Sequence, residues 1–368
     1  MAFITSNTQP SDGALGDEWY NPVEDKIYKR VPFNGVAQWI EYNIPSLTAK
    51  RVITADVALP KLPLSSVKFL AVAGGGGSGF GAGSGAGGGG VLQSNNLLVA
   101  PGVVYTVVVG AGGAGSINVP APSADLASGS RGSNTRITGG LLSLIAEGGG
   151  AGRGSGATYS SILHDGGSGG GAHASVSVGA GFNYSGSGAG TTIYYNYPLG
   201  LQGFPGGSGL GTGPTRSTGG GGGAAGIGQP SRASQTSGTA TEAGRGGIGL
   251  HSTISGLSKY YGGGGGGGAW GPASASGDRL GGLGGGGHGG SVSVAGTAGN
   301  VNTGGGGGGG GGGPLGSSAS GGSGIVIFSH PTKYANARIT GDSVEVRSVR
   351  SNTELVYTFN SPGTIFFL

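Results

Sequence analysis

The sequence contains no cysteine, so disulfide staples and thiolate metal sites are excluded. Charge is scarce too: Asp, Glu, Lys and Arg make up 9% of the 368 residues. Disordered chains are typically highly charged and poor in apolar residues. Here hydrophobic residues reach 35%, so the chain is expected to collapse or assemble rather than stay solvated. The net charge of +4 comes from 19 basic residues spread over the whole length, which argues against a nucleic-acid partner. No Gly-Lys pair occurs, which removes the P-loop signature, and no two histidines have helical metal-site spacing. No stretch of about 18 apolar residues runs free of glycine, so membrane insertion is not expected. The opening residues lack a basic segment followed by a long apolar one, and synthesis in the cytoplasm without a signal peptide is expected.

Candidates for chemistry are equally few. His164 beside Asp165 in ILHDGG is the one adjacent His–Asp pair and reads as a polar turn. Acids in the glycine-rich part are little more than Asp125, Glu147, Asp165, Glu242 and Asp278. A glycoside hydrolase needs two carboxyl groups at a defined separation, and nothing in the spacing brings two together. The expectation is a non-enzymatic protein with no catalytic residues, no cofactor and no metal. A depolymerase built from distant loops is the weaker alternative.

What the sequence has is glycine: 95 residues, with ten in a row from Gly304 to Gly313. Tracts recur at 148–156, 166–171, 179–190, 203–213, 219–226, 244–249, 262–268, 281–290, 304–313 and 321–324. No fixed period separates them, which excludes a solenoid of identical units and collagen. Glycine loses more backbone freedom on ordering than other residues, so ordered tracts need a compensating network. The left-handed threefold helix of polyglycine II supplies one, because its N–H and C=O groups point outward in three directions and neighbours can approach closely. The interruptions are mainly Ala and Ser, whereas a flexible linker would accept Gln, Lys or Glu freely.

Residues 1–48 differ in composition. EWYNP, KIYKRV and QWIEY read as three short strands joined by turns at NPVEDK and PFNG, a small antiparallel module. Trp19, Tyr20, Tyr28 and Trp39 form its expected aromatic core. Gly16, Asp17, Trp19, Tyr20, Asn21, Ile27, Tyr28, Gln38, Trp39 and Ile40 together resemble short β-modules of tailed-phage virion proteins, tail fibres especially. Any β-meander needing a tryptophan core is the bland alternative.

From residue 49 to 330, strand-like segments feed directly into glycine. The stretches Val67–Gly77, Pro101–Gly113 and Gly321–Ile327 resemble the glycine-rich domain of phage fibre proteins, an architecture also related to a receptor tyrosine kinase ectodomain. The resemblance implies a β-framework holding a bundle of polyglycine II helices, with loops between tracts as recognition surface. Residues 331–368 read as a β-hairpin, SVEVRSVR with ELVYTF, and a final strand TIFFL packing back on that domain.

The expected fold is therefore mainly β with a polyglycine II bundle, a small N-terminal β-module and almost no α-helix. The resemblance implies a tail fibre or fibre-tip adhesin in the virion, with a host cell-surface protein or glycan as receptor. The N-terminal module would dock to other virion proteins, and a homo-oligomer, with a trimer favoured, would suit it. A self-assembling extracellular filament or capsid decoration is the rival. Candidate receptor contacts are Tyr159, Tyr194, Tyr195, Tyr197, Phe204, Tyr260, Tyr261 and Trp270, because tyrosine offers large contact at low entropic cost. The alternative for each ring is capping the end of a glycine helix.

Overall fold

The computed structural model describes residues 3–5, 18–21, 26–33, 36–41, 65–116, 127–155, 161–173, 193–194, 197–198, 202–212, 215–233, 241–270, 279–292, 294–312, 316–342, 344–349 and 352–368. The chain divides into two compact units, Met1–Lys61 and Leu62–Leu368.

The first unit is a four-stranded sheet of β1 (Phe3–Thr5), β2 (Glu18–Asn21), β3 (Lys26–Phe33) and β4 (Val36–Glu41), in that order. The three expected strands are β2 to β4. Sequence reading missed β1, three residues long and parallel to β2, because so short a stretch carries no usable alternation. PFNG is not all turn, since Pro32 and Phe33 continue β3 opposite Ala37 and Val36. Register sets Trp19 opposite Tyr28, and the rings stack with centroids 4.6 Å apart. Trp39 meets Trp19 edge-on at 6.1 Å, and the Arg30 guanidinium lies over Trp39 at 5.6 Å. Tyr20 pairs with Ile27 along the backbone; its side chain lies outside the described residues.

The second unit is mainly β. One sheet runs in the order Val344–Val349, Glu354–Phe359, Ile325–Pro331, β5 (Ser66–Val72), β6 (Val91–Leu98). The other runs Arg338–Thr340, Gly363–Phe366, β7 (Val104–Val108), β8 (Thr135–Gly139), β9 (Leu142–Ala146). All pairings in both are antiparallel. Phe69, Val326, Phe328, Tyr357 and Phe359 of the first sheet form one buried cluster with Tyr105, Val107, Ile137, Leu144 and Ile365 of the second. Side chains alternate along a strand, so Leu70, Val72, Ile325, Ile327 and Val356 join a second cluster with Ala224, Ile254 and Tyr261. The inner strands of the first sheet are thus buried on both faces, which is why FLAV and IVIF are unbroken apolar runs. Among the described residues the one helix is a single turn, Ser161–His164, where the sequence reading placed a turn.

Beyond the sandwich, β5 and β6 continue as glycine. Ala73 donates its N–H to Gly90 and Gly76 to Gly87, and the pair closes at Gly81 and Ala82, with φ of +69° and +57°. The amides then fan out with a period of three. Along 83–90, Gly83, Ala86 and Gly89 donate to Gly310, Gly307 and Gly304. Ser84, Gly87 and Gly90 donate to Arg153, Gly150 and Glu147, and Gly85 and Gly88 donate to Gly219 and Gly222. The carbonyls of the same tract accept from three further tracts, at 73–76, 168–171 and 265–268. It is surrounded by six neighbours, and Ser84 through Gly90 are buried. Three residues per turn is the period at which a threefold extended helix presents its amides.

Close packing leaves no room for a side chain at most buried glycines of the tracts. A Cβ on Gly85, Gly88, Gly221, Gly265 or Gly306 would collide with a backbone carbonyl of a neighbouring tract. Hydroxyls are admitted where they bond a lattice carbonyl: Ser84 Oγ donates to Gly171 O at 2.6 Å, and Thr218 Oγ1 donates to Gly83 O at 2.9 Å. On the perimeter the same period sets which residues escape. Ala111 and Ala114, Ser130 and Ser133, Arg245 and Ile248, Leu280 and Leu283, and Ser317 and Ser320 are each three apart and exposed.

Candidate recognition surface

Two short hairpins leave the bundle at the end away from the sandwich. Leu210–Thr212 pairs with Thr215–Ser217, which also pairs with Ala269–Trp270. Arg232–Ala233 pairs with Thr241–Glu242. Both follow tract ends level with the Gly81–Ala82 turn, since Thr218 donates to Gly268, Gly268 to Gly83, and Gly244 to Thr218. Trp270 lies opposite Arg216 in this small sheet. It is 43% exposed, and its indole occupies the space that a Cβ on Gly312 would need. The ring both covers the last glycines of a tract and faces solvent.

The other predicted aromatics do not converge with it. Tyr260 is 38% exposed and lies at the sandwich end of the same tract, its ring 5.1 Å from His251. Tyr261, expected as a receptor contact, is instead 1% exposed. It is the next residue along a strand, so it points the opposite way, into the cluster with Leu70, Ile327 and Val356. Burial raises its pKa above the ordinary tyrosine value, against smaller lowering effects from Ser255 and Arg347. Phe204 is half-buried within the lattice, its N–H donating to Gly223 and its carbonyl accepting from Gly169. Tyr194 and Tyr197 pair through two-residue strands, but their side chains lie outside the described residues, as do Tyr159 and Tyr195 altogether.

A groove that sequence reasoning missed runs along the bundle toward the hairpin end. Its volume is about 560 Å³, and Ile227, Gln229, Arg232, Glu242, Arg245 and Ile248 are among its lining residues. Ile227 and Ile248 are 53% and 40% exposed, and Arg232 is the strand partner of Glu242. Its signal was the spacing in GRGGIG, where Arg245 and Ile248 occupy the outward third position of a glycine tract. The lining is mixed, with Ile227 and Ile248 beside Gln229, Arg232, Glu242 and Arg245.

The outer face of the second sheet carries a row of hydroxyls. Thr340, Thr364, Thr106, Thr138 and Ser143 are successive register partners across all five strands, with Thr340 Oγ1 and Thr364 Oγ1 2.7 Å apart.

His164, the lone candidate for chemistry, is buried, with Nε2 3.3 Å from Ser128 Oγ and its backbone carbonyl accepting from Gly170. This arrangement ties the helical turn to the lattice. Among the described residues no group of three or more His, Asp or Glu side chains could hold a metal ion, and no helix is long and apolar enough to cross a membrane.

The family model of the glycine-rich domain matches residues 54–331. The chain belongs to the glycine-rich domain family. The matched glycine-rich domain ends on the last residue of the Ile325–Pro331 strand. Four further strands, between Arg338 and Phe366, complete the two sheets from outside it. Comparison with curated proteins finds no match, and comparison with solved structures finds none either.

Proposed function

We propose that this glycine-rich domain protein is a non-enzymatic virion protein of a tailed phage, a tail fibre or fibre-tip adhesin that presents loops to a host-surface protein or glycan. In this reading the tracts are polyglycine II helices, the N-terminal module docks to other virion proteins, and the protein is made in the host cytoplasm. One observation carries it: two hairpins, Trp270 and one end of a groove gather at one end of a bundle whose interior is bonded mainly through backbone. Binding loops on rigid scaffolds vary without unfolding the frame. A lattice that excludes side chains inside and frees them at loops and every third outer position meets that need.

The test is adsorption. Purified chain should label host cells and compete with phage, and Trp270→Ala combined with Arg245→Glu should abolish both with the thermal transition retained. Thr138→Glu, on the hydroxyl-bearing sheet face, serves as the surface control and should leave binding intact. Unaltered phage adsorption in the presence of excess protein would overturn the adhesin reading. Polymerisation without cell binding would point to the filament or capsid decoration, and loss of surface polysaccharide to a depolymerase.

A further inference from the structure

The strand Val344–Val349 ends the first sheet. It pairs on one side with Glu354–Phe359 and, among the described residues, has no strand on the other. Native proteins usually block such an edge with proline, a bulge, a cover or charged side chains, and the charges here, Glu345 and Arg347, are of opposite sign. This one contains no proline, and Glu345, Val346, Arg347 and Ser348 are all exposed. Val346 is 48% exposed, an apolar side chain on a strand that the fold leaves open.

The sequence of this edge is complementary to itself. Side chains alternate across a strand, so Glu345 and Arg347 share one face and Val346 takes the other. In an antiparallel pair related by a two-fold axis at Val346, Glu345 stands opposite the partner's Arg347, Arg347 opposite the partner's Glu345, and the two copies of Val346 meet at the axis. Moving the axis to Glu345 sets two carboxylates face to face, and moving it to Arg347 sets two guanidinia face to face. Directly opposed like charges are unfavourable and opposite charges favourable, so charge selects the first register. Among the described residues Glu345 makes no salt bridge within the chain. Arg347 donates through one nitrogen to Ser255 O at 3.2 Å, which leaves other guanidinium donors of its five for a carboxylate.

We propose that this edge is a homodimer contact. A second copy of the chain pairs antiparallel with Val344–Val349 about an axis at Val346, joining two five-stranded sheets into one of ten. The contact is isologous and closes on itself, so it yields dimers, not filaments. It stands independently of the adhesin reading.

Sedimentation equilibrium of the full chain over a concentration series tests the proposal. The wild type should pass from monomer to dimer. Glu345→Arg alone and Arg347→Glu alone should each weaken the dimer about tenfold or more, because each replaces attraction by repulsion at both symmetry-related positions. The double variant Glu345→Arg with Arg347→Glu restores opposite charges and should return the dissociation constant to within a few-fold of wild type. Because the exchanged residues are exposed, near-ultraviolet circular dichroism should be unchanged in all three. A wild type that stays monomeric, a trimer, or a dimer indifferent to the swaps would each overturn it.

Discussion

A Cβ placed on Gly308 would run into the carbonyl oxygen of His288. Gly308 is buried within the ten-glycine run, and its N–H donates to Thr297 O. Replacing glycine by alanine at an unstrained site usually stabilises a protein by roughly 0.4–1 kcal/mol, through the unfolded chain. Here the sign should reverse. Gly308→Ala is expected to cost about 3 kcal/mol by overpacking, and Gly308→Leu to prevent folding, as read by urea unfolding and near-ultraviolet circular dichroism. A run acting as slack tether would register neither change.

Neighbouring positions in one outer tract should respond oppositely. Ala111 and Ala114 are exposed, whereas a Cβ on Gly112 would meet Gly321 O. Ala114→Leu is therefore expected to stay within about 0.5 kcal/mol of wild type, and Gly112→Ala to destabilise by roughly 1–3 kcal/mol. Equal effects at the two sites, measured by the same denaturation curves, would contradict the period of three.

Much of this was legible in the sequence, and the misses have physical causes. The strand-like segments that feed into glycine are strands, and their junctions with glycine mark where the β-ladder turns into the lattice. Gly304 through Gly312 of the ten-glycine run are buried. No period separates the tracts, because the inserts vary; the physical period of three lies within them and shows only where non-glycine residues interrupt. That is also why the groove flanked by Arg245 and Ile248 was missed. Tyr260 and Tyr261 are adjacent aromatics in the sequence, yet a strand sends successive side chains to opposite faces. Which of the two went inside depended on the sheet stacked beneath it, through contacts distant in sequence.

Tyr357 ties together three segments, and its ionisation should set an alkaline limit. Its hydroxyl accepts from Ala337 N–H at 2.9 Å and lies 3.1 Å from His330 Nε2. His330 Nδ1 is 2.9 Å from Pro331 O, an oxygen that only accepts. That assigns the proton to Nδ1 and makes Tyr357 the donor to Nε2. Tyr357→Phe should cost roughly 1–3 kcal/mol by stranding these buried groups. Burial raises the pKa of Tyr357 above the ordinary 10.0, partly countered by the Ala337 bond, and burial raises Tyr261 likewise. The folded state then holds a proton that the unfolded state releases. Stability should be level below about pH 10 and fall as pH rises through the folded values. Urea midpoints against pH should show a weaker alkaline slope in Tyr261→Phe and Tyr357→Phe; an unchanged slope in both would rule the tyrosines out.

Lys68 and Glu354 form an ion pair on the first sheet, reaching across the strand that lies between theirs. Glu354 is 8% exposed, and its second carboxylate oxygen accepts from Ser329 Oγ at 3.3 Å. Removing only the cation leaves a carboxylate in a poorly hydrated place, whereas removing both charges leaves none. Lys68→Met is therefore expected to destabilise by roughly 1–3 kcal/mol. The double variant Lys68→Met with Glu354→Leu should recover most of that loss, because the face already packs Leu70, Ile327 and Val356. A double-mutant cycle by urea denaturation decides the matter. Additive losses would mean that the two side chains act independently, and a coupling above about 0.5 kcal/mol would fix the pair as a unit of the sheet.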